Sequence, residues 1–218
     1  MSKHQEHIIA VFADKYNKLA EKKNKGNIYS ISELSSKSDV TEAISKSDVV
    51  IAQRADLEEN TGFRQLIPYV SLVTPEGKFL TYTRTKQGNE QRLHKKVSVG
   101  FGGHMDAADA HFDEDSNLDI QKTIFNGLKR EVIEELGNSV YETIKDQING
   151  FQVEELIIDD KTDVEKVHMA LLISVTLDSE IKVESTDESI TMEGFLTEDE
   201  IRKLEGNIEP WSEIVISR

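Results

Sequence analysis

Eight residues in the middle of the chain, Arg130-Glu131-Val132-Ile133-Glu134-Glu135-Leu136-Gly137, place three carboxylates behind an arginine and close on a glycine. On a helix successive residues turn by about 100°, so Glu131, Glu134 and Glu135 fall within an arc of roughly 100°. Like charges stacked at i,i+3 and i,i+4 repel, and a cation is the natural compensation. Three oxygen donors on one face suit a hard divalent ion such as Mg²⁺, with Mn²⁺ as an alternative. A solvated, glutamate-rich helix end is the bland alternative. Against it, Ile124, Leu128, Val132 and Leu136 form the apolar stripe of the same helix, and Glu135 lies in the sector of Ile124 and Leu128. A carboxylate at the edge of a buried face needs a partner.

The elements that must position these groups can be read around them. A strand over Lys96–Phe101 runs into Gly102-Gly103-His104, where glycines let backbone carbonyls approach a bound ion. Ser116, with Asp119 three residues on, reads as the start of the motif helix, and Gly137 as its end. Gly127 inside it costs about 1 kcal/mol against alanine. Upstream, Leu66–Val73 and Lys78–Arg84 read as a hairpin turning at Thr74-Pro75-Glu76-Gly77. Val49–Ala52 reads as a strand and Glu6–Leu19 as an amphipathic helix carrying Ile9, Phe12, Tyr16 and Leu19. Downstream, strands are expected at Gly150–Ile158 and, more central because richer in apolar residues, at Val164–Leu177. Thr197-Glu198-Asp199-Glu200 is a capping box for a short helix, and Pro210 opens a last one. The alternation predicts an α/β (α+β) fold, an α/β/α sandwich around a mixed β-sheet.

The arginine–glutamate run and the glycines before it resemble the signature of the Nudix hydrolase family, G-x5-E-x7-R-E-U-x-E-E-x-G-U with U a bulky aliphatic residue. Arg130 to Gly137 match without a gap. Lys122 stands where the signature has its first glutamate, and Asn138 where it has its last aliphatic residue. Gly103 to Arg130 spans 27 residues where the signature spaces 14, so 13 are inserted, and the polar segment Asp106–Asn117 can hold them. With Arg64–Val70 and Val167-His168, the Gly102-Gly103-His104 turn and the insertion also resemble a branch of predicted phosphoesterases within that family. The resemblance covers residues 50–218 and divides the chain into an N-terminal extension, 1–48, packed on the core, and a Nudix domain, 49–218. It implies that Glu131, Glu134, Glu135 and the carbonyl of Gly103 hold Mg²⁺, with Glu134 the leading general base. Glu184, Asp187, Glu188 and Glu193 are loop alternatives for that role, and Arg130 orients the carboxylates.

Composition sets the outer bounds. At 218 residues one domain of ordinary size with an embellishment is expected. There is no cysteine, hence no disulfide frame or thiolate chemistry, which fits a cytoplasmic protein. The first residues lack the apolar run of a signal peptide, and no 18-residue apolar stretch suits a membrane. A net charge of −15 argues against gripping duplex nucleic acid by its backbone. A polyphosphate would then be drawn in by a metal and a local basic patch. Arg84, Lys86, Arg92, His94, Lys95 and Lys96, against only Glu90, form such a patch. Arg84, Arg92 and Lys96 are the candidate phosphate contacts, weighed against a solvated hairpin loop.

Other constellations fail. Asp113, Asp115, Asn117 and Asp119 mimic an EF-hand loop, but Leu118 replaces its glycine and Ile124 its last glutamate. There is no G-x-S-x-G and no P-loop, and the six histidines show no zinc spacing. Ser-Lys-Ser-Asp-Val at 36–40 and 45–49 is too short a repeat to define an architecture. His104 is a candidate substrate or metal contact, weighed against a turn histidine bonded to its own backbone, and His168 reads as structural. The sequence thus points to a metal-dependent hydrolase of a small diphosphate substrate, nucleoside-linked or otherwise organic, with homodimerisation left open. The alternative is a ligand-sensing or protein-interaction module on the same fold, favoured by Lys122, Asn138 and the insertion. The insertion itself is expected to be a mobile loop beside the site, a lid being one form it could take.

Overall fold

The computed structural model describes residues 6–20, 27–30, 44, 48–85, 95–149, 153, 155–185 and 188–218. The repeated pentapeptide, Lys86, Arg92, His94 and Asp187 lie outside them, apart from Asp48 and Val49 of the second copy. The fold is α/β, and the chain forms two compact units: Met1–Tyr69, Gly103–Leu128 and Phe151–Ile173 in the first, Val70–Gly102, Lys129–Gly150 and Ser174–Arg218 in the second.

The first unit begins with β1, His7–Phe12, where the sequence suggested one long helix. Ile8, Ile9, Ala10 and Val11 are all buried, so this run is covered on both faces as only an interior strand can be. The chain turns helical only at Asp14–Ala20. β1 pairs antiparallel with β3 (Val49–Gln53) and with β4 (Phe63–Val73). With β2 (Ile28–Ser30), β7 (Glu155–Ile157) and β8 (His168–Thr176), the strand order is β2-β7-β8-β4-β1-β3. β8 is therefore interior, as its composition suggests. Residues before 48 supply β1 and β2.

The inserted segment also lies in the first unit, and it is not a free lid. Met105 is buried, donates its N–H to the Leu66 carbonyl and accepts from Ile9 N–H. Asp106 caps a short 3-10 turn, Ala107–Asp109, in a reciprocal capping box with buried Asp109. Asp113 Oδ1 accepts from the N–H groups of Asp115 and Asn117, so the acidic EF-hand-like run is stapled to its own backbone. Phe112 bridges to Leu118, and His111 N–H donates to Thr123 Oγ1. The segment is a braced strap whose exposed parts are Ala108, Phe112 and the acidic tip.

The strap ends at Asp119, not at a helix begun by Ser116. Ser116 has φ 62°, a turn conformation, and Asp119 Oδ1 accepts from Lys122 N–H to cap the motif helix, Ile120–Leu136. Gly127 causes no break. A Cβ there would lie 3.0 Å from Met105 Cγ and 3.2 Å from Asp109 Oδ2, so the glycine is what lets the strap pack on the helix.

In the second unit the hairpin forms as read: Thr74 N–H donates to the Lys78 carbonyl, Gly77 sits at φ 77°, and β5 runs Phe79–Arg84. β5 pairs with the two-residue β6 (Val97–Ser98) and with β9 (Ile190–Leu196). The strand expected over Lys96–Phe101 is thus shorter, resuming only where Phe101 and Val70 exchange both backbone hydrogen bonds. The Thr197 capping box and the Pro210 helix, Pro210–Ile216, are present. Gly137, at φ 85°, ends the motif helix, and Asn138 opens another, Asn138–Asn149, that the sequence did not suggest. No helix among the described residues is long and apolar enough to cross a membrane.

Gly127→Val should destabilise the chain by about 1–3 kcal/mol, because added methyls meet buried Met105 and Asp109. Gly127→Ala should cost less, since about 1 kcal/mol of helix propensity offsets the close contacts of its one methyl with Met105 and Asp109. Urea unfolding of both variants checks the order; equal or raised stability for valine would show that the strap is not packed on the helix.

Candidate active site on the motif helix

The stripe Ile124, Leu128, Val132 and Leu136 is at most 1% exposed, and Glu135, beside it, is 8% exposed. Glu135 Oε2 accepts from the backbone N–H of Gly102 at 3.2 Å. Gly102 has φ 152°, which disfavours any residue with a Cβ and leaves its N–H turned toward the carboxylate. The carbonyl of Glu135 accepts from Ser185 Oγ at 3.1 Å, so the last turn of the helix is held from both ends of this residue.

The other two carboxylates are engaged by Arg130, whose Nη1 lies 2.6 Å from Glu131 Oε1 and 3.4 Å from Glu134 Oε2. Glu131 is half-buried, whereas the Glu134 side chain is 60% exposed. Among the described residues no three acidic or histidine side chains converge as a ready cage for a metal ion. The donor set nevertheless fits Mg²⁺ in kind: three carboxylates within about one and a half turns, one of them largely out of water. Gly103 and His104, the remaining candidates of the glycine turn, belong to the first unit.

Lys122, at the position of the signature's first glutamate, instead pairs with the helix cap, 3.5 Å from Asp119 Oδ2, and is 63% exposed. Asn138, at the last aliphatic position, is exposed as the first residue of the next helix. Among the alternative bases, Glu184 is paired with Lys182 at 2.6 Å, and that ammonium holds its carboxyl below the usual range. A carboxylate so stabilised is a weaker base at neutral pH. Glu193 Oε1 accepts from Thr83 Oγ1 at 2.8 Å.

Of the basic stretch, Arg84 and Lys96 are half-buried and adjoin across the β5–β6 pair, where Arg84 N–H donates to the Lys96 carbonyl. Arg84 Nη2 lies 3.1 Å from Tyr82 Oη, which itself donates to the Gly100 carbonyl at 2.9 Å, and the guanidinium lies over the Tyr82 ring, 5.4 Å from its centroid. Tyr82 and Ser185 escaped the sequence reading, and Gly102, read there for a carbonyl that approaches an ion, acts instead through its N–H. For Tyr82 the signal was available, since strand residues i and i+2 share a face.

No family model matches the chain. It is 34% identical over 168 residues to Protein YmaB of Bacillus subtilis (strain 168), an alignment that covers 75% of this chain and 75% of that protein. The chain belongs to the YmaB family. The fold of this YmaB-family chain is in turn similar to the crystal structure of Tm1382, described as "a putative Nudix hydrolase", with a TM-score of 0.65, 20% identity and coverage of 97% of both chains. The fold is accordingly of the Nudix type.

Arg130→Ala should leave Glu131 and Glu134 to repel each other one turn apart. The exposure of the group keeps the loss of stability below about 1 kcal/mol. Thermal melts at low and high salt read it: the deficit should shrink as salt screens the glutamates. A large, salt-independent loss would mean that Arg130 serves packing instead.

Proposed function

We propose that the chain is a metal-dependent hydrolase that cleaves the pyrophosphate bond of a nucleoside diphosphate-linked or other organic diphosphate. One observation carries the reading: on a Nudix-type fold, the arginine–glutamate run lies on a single helix, with Glu135 withdrawn from water and held by the Gly102 N–H. A buried carboxylate costs free energy to keep. Its placement beside two more carboxylates makes sense as a cation site.

In this reading Glu131, Glu134 and Glu135 hold Mg²⁺ or Mn²⁺, which when bound neutralises phosphate oxygens and lowers the pKa of a water ligand. Gly102 fixes the direction of Glu135. Arg130 keeps Glu131 and Glu134 from splaying apart, and its own exposure lets it yield them. Glu134, the most exposed of the three, is the carboxylate best placed to take a proton from attacking water. Arg84, steadied by Tyr82, and Lys96 supply cations for the substrate phosphates, arginine by a forked grip. The inserted strap and the Gly102-Gly103-His104 turn support placement in the Nudix phosphoesterase branch, and the absence of cysteine supports the cytoplasm.

A second reading, a ligand sensor without turnover, is favoured by Arg130 already occupying two of the carboxylates and by Lys122 in place of a glutamate. A panel of diphosphates incubated with Mg²⁺ separates the two. Hydrolysis yields two phosphorylated products from each cleaved substrate, whereas a sensor binds and releases its ligand intact.

Glu135→Gln should abolish most Mg²⁺-dependent turnover while leaving the urea midpoint nearly unchanged, because the amide oxygen can still accept from Gly102. Turnover and metal requirement like those of the parent chain would reject Glu135 as a ligand. Arg84→Ala should lower kcat/KM by roughly ten- to a hundredfold, the value of one charge-assisted hydrogen bond of about 1.5–3 kcal/mol. The effect should lie in KM and weaken with salt. Kinetics indifferent to Arg84 would move phosphate binding elsewhere.

A further inference from the structure

The six histidines show no metal spacing along the chain, yet two of them, 64 residues apart, meet within the first unit. His104 Nε2 and His168 Nε2 are 3.0 Å from each other, with ring centroids 5.1 Å apart and planes inclined by 65°. His168 Nδ1 lies 2.6 Å from the Val164 carbonyl, which can only accept, so Nδ1 carries the proton. In the neutral ring this leaves the His168 Nε2 lone pair aimed at His104. We propose that His104 and His168 are the two protein ligands of a second metal site, for a late first-row divalent ion such as Zn²⁺, distinct in chemistry from the carboxylate site for Mg²⁺.

Three features support it. Imidazole nitrogens bind Zn²⁺ at 2.0–2.1 Å, so two ligands of one ion lie about 2.9 Å apart at a right angle and about 3.3 Å apart at the tetrahedral angle. The observed 3.0 Å falls between these values. The bond from Nδ1 to a backbone carbonyl is the outer-shell contact that fixes the tautomer of metal-bound histidines. His168 is also anchored from behind. The Arg64 side chain, 1% exposed, donates to the His168 carbonyl at 3.1 Å and has its charge met by Asp160 at 2.7 Å. The guanidinium therefore positions the ligand without leaving an unmatched positive charge beside it. No third acidic or histidine side chain completes a cage among the described residues, so water or a bound ligand's oxygen fills the other positions.

The metal-free pair needs the opposite tautomer at His104. A direct hydrogen bond to the bare His168 Nε2 requires His104 to carry its proton on Nε2, whereas an ion requires that nitrogen free and the proton on Nδ1. The test is a Zn²⁺ titration of the untagged full chain in excess Mg²⁺, followed by calorimetry and by ¹⁵N NMR of the imidazoles. The expected result is one Zn²⁺ site, with transfer of the His104 proton from Nε2 to Nδ1 on binding. His104→Ala and His168→Ala should each weaken that site by at least about tenfold. Zn²⁺ binding of unchanged affinity in both variants would overturn the proposal. So would imidazole signals that stay put at saturation in the parent chain, a measurement that needs no variant to fold.

Discussion

The carboxylate of Glu135 must be answered where it lies. It stands beside a helix stripe that is otherwise sealed from water, and an unpaired charge there would cost several kcal/mol. The backbone N–H of Gly102 meets it, and that requires the chain to leave the Val70–Phe101 exchange and turn at once through a conformation that glycine tolerates. Ser185 holds the carbonyl of the same residue and so ties a second loop to the helix end. One buried acid thereby fixes a glycine turn, the last helical turn and the loop beyond β8, which is why the motif's charge pattern has structural as well as chemical consequences.

The neighbouring carboxylates follow a different rule. Glu131 and Glu134 share Arg130, the first at 2.6 Å and half-buried, the second at 3.4 Å and exposed, where an ion pair is worth little. Glu135 and Glu131 are thus held close, and Glu134 is the adaptable carboxylate of the three. That division would suit the cation site proposed above. In a protein of net charge −15, the arginine between Glu131 and Glu134 also offsets their mutual repulsion.

The inserted segment shows how a polar sequence becomes a structural part. Along the chain the Asp106–Asn117 segment reads as a polar loop, and Asp113 and Asp119 as part of a failed EF-hand mimic. In the fold Asp106, Asp109, Asp113 and Asp119 each accept from a nearby N–H, at a 3-10 cap, a turn or the helix start. Gly127 completes the arrangement from the helix side. Asx and cap bonds form within a few residues, so their donors could have been guessed, but the packing of Met105 could not, since it depends on β1 and β4.

Sequence by itself determined the local features: the motif helix with its stripe, Gly137 as its stop, the Thr74–Gly77 turn, the Thr197 and Pro210 helix starts, and the interior character of β8. All rest on interactions among residues a few positions apart, or on a composition that cannot face water. Tertiary structure decided the rest. It made β1 of a segment whose apolar spacing also suits a helix, because burial on two faces outweighs periodicity. It chose Gly102 as the partner of Glu135, and it set His104 against His168, 64 residues apart. Contacts between distant residues depend on how strands align, and no short window of sequence encodes that alignment.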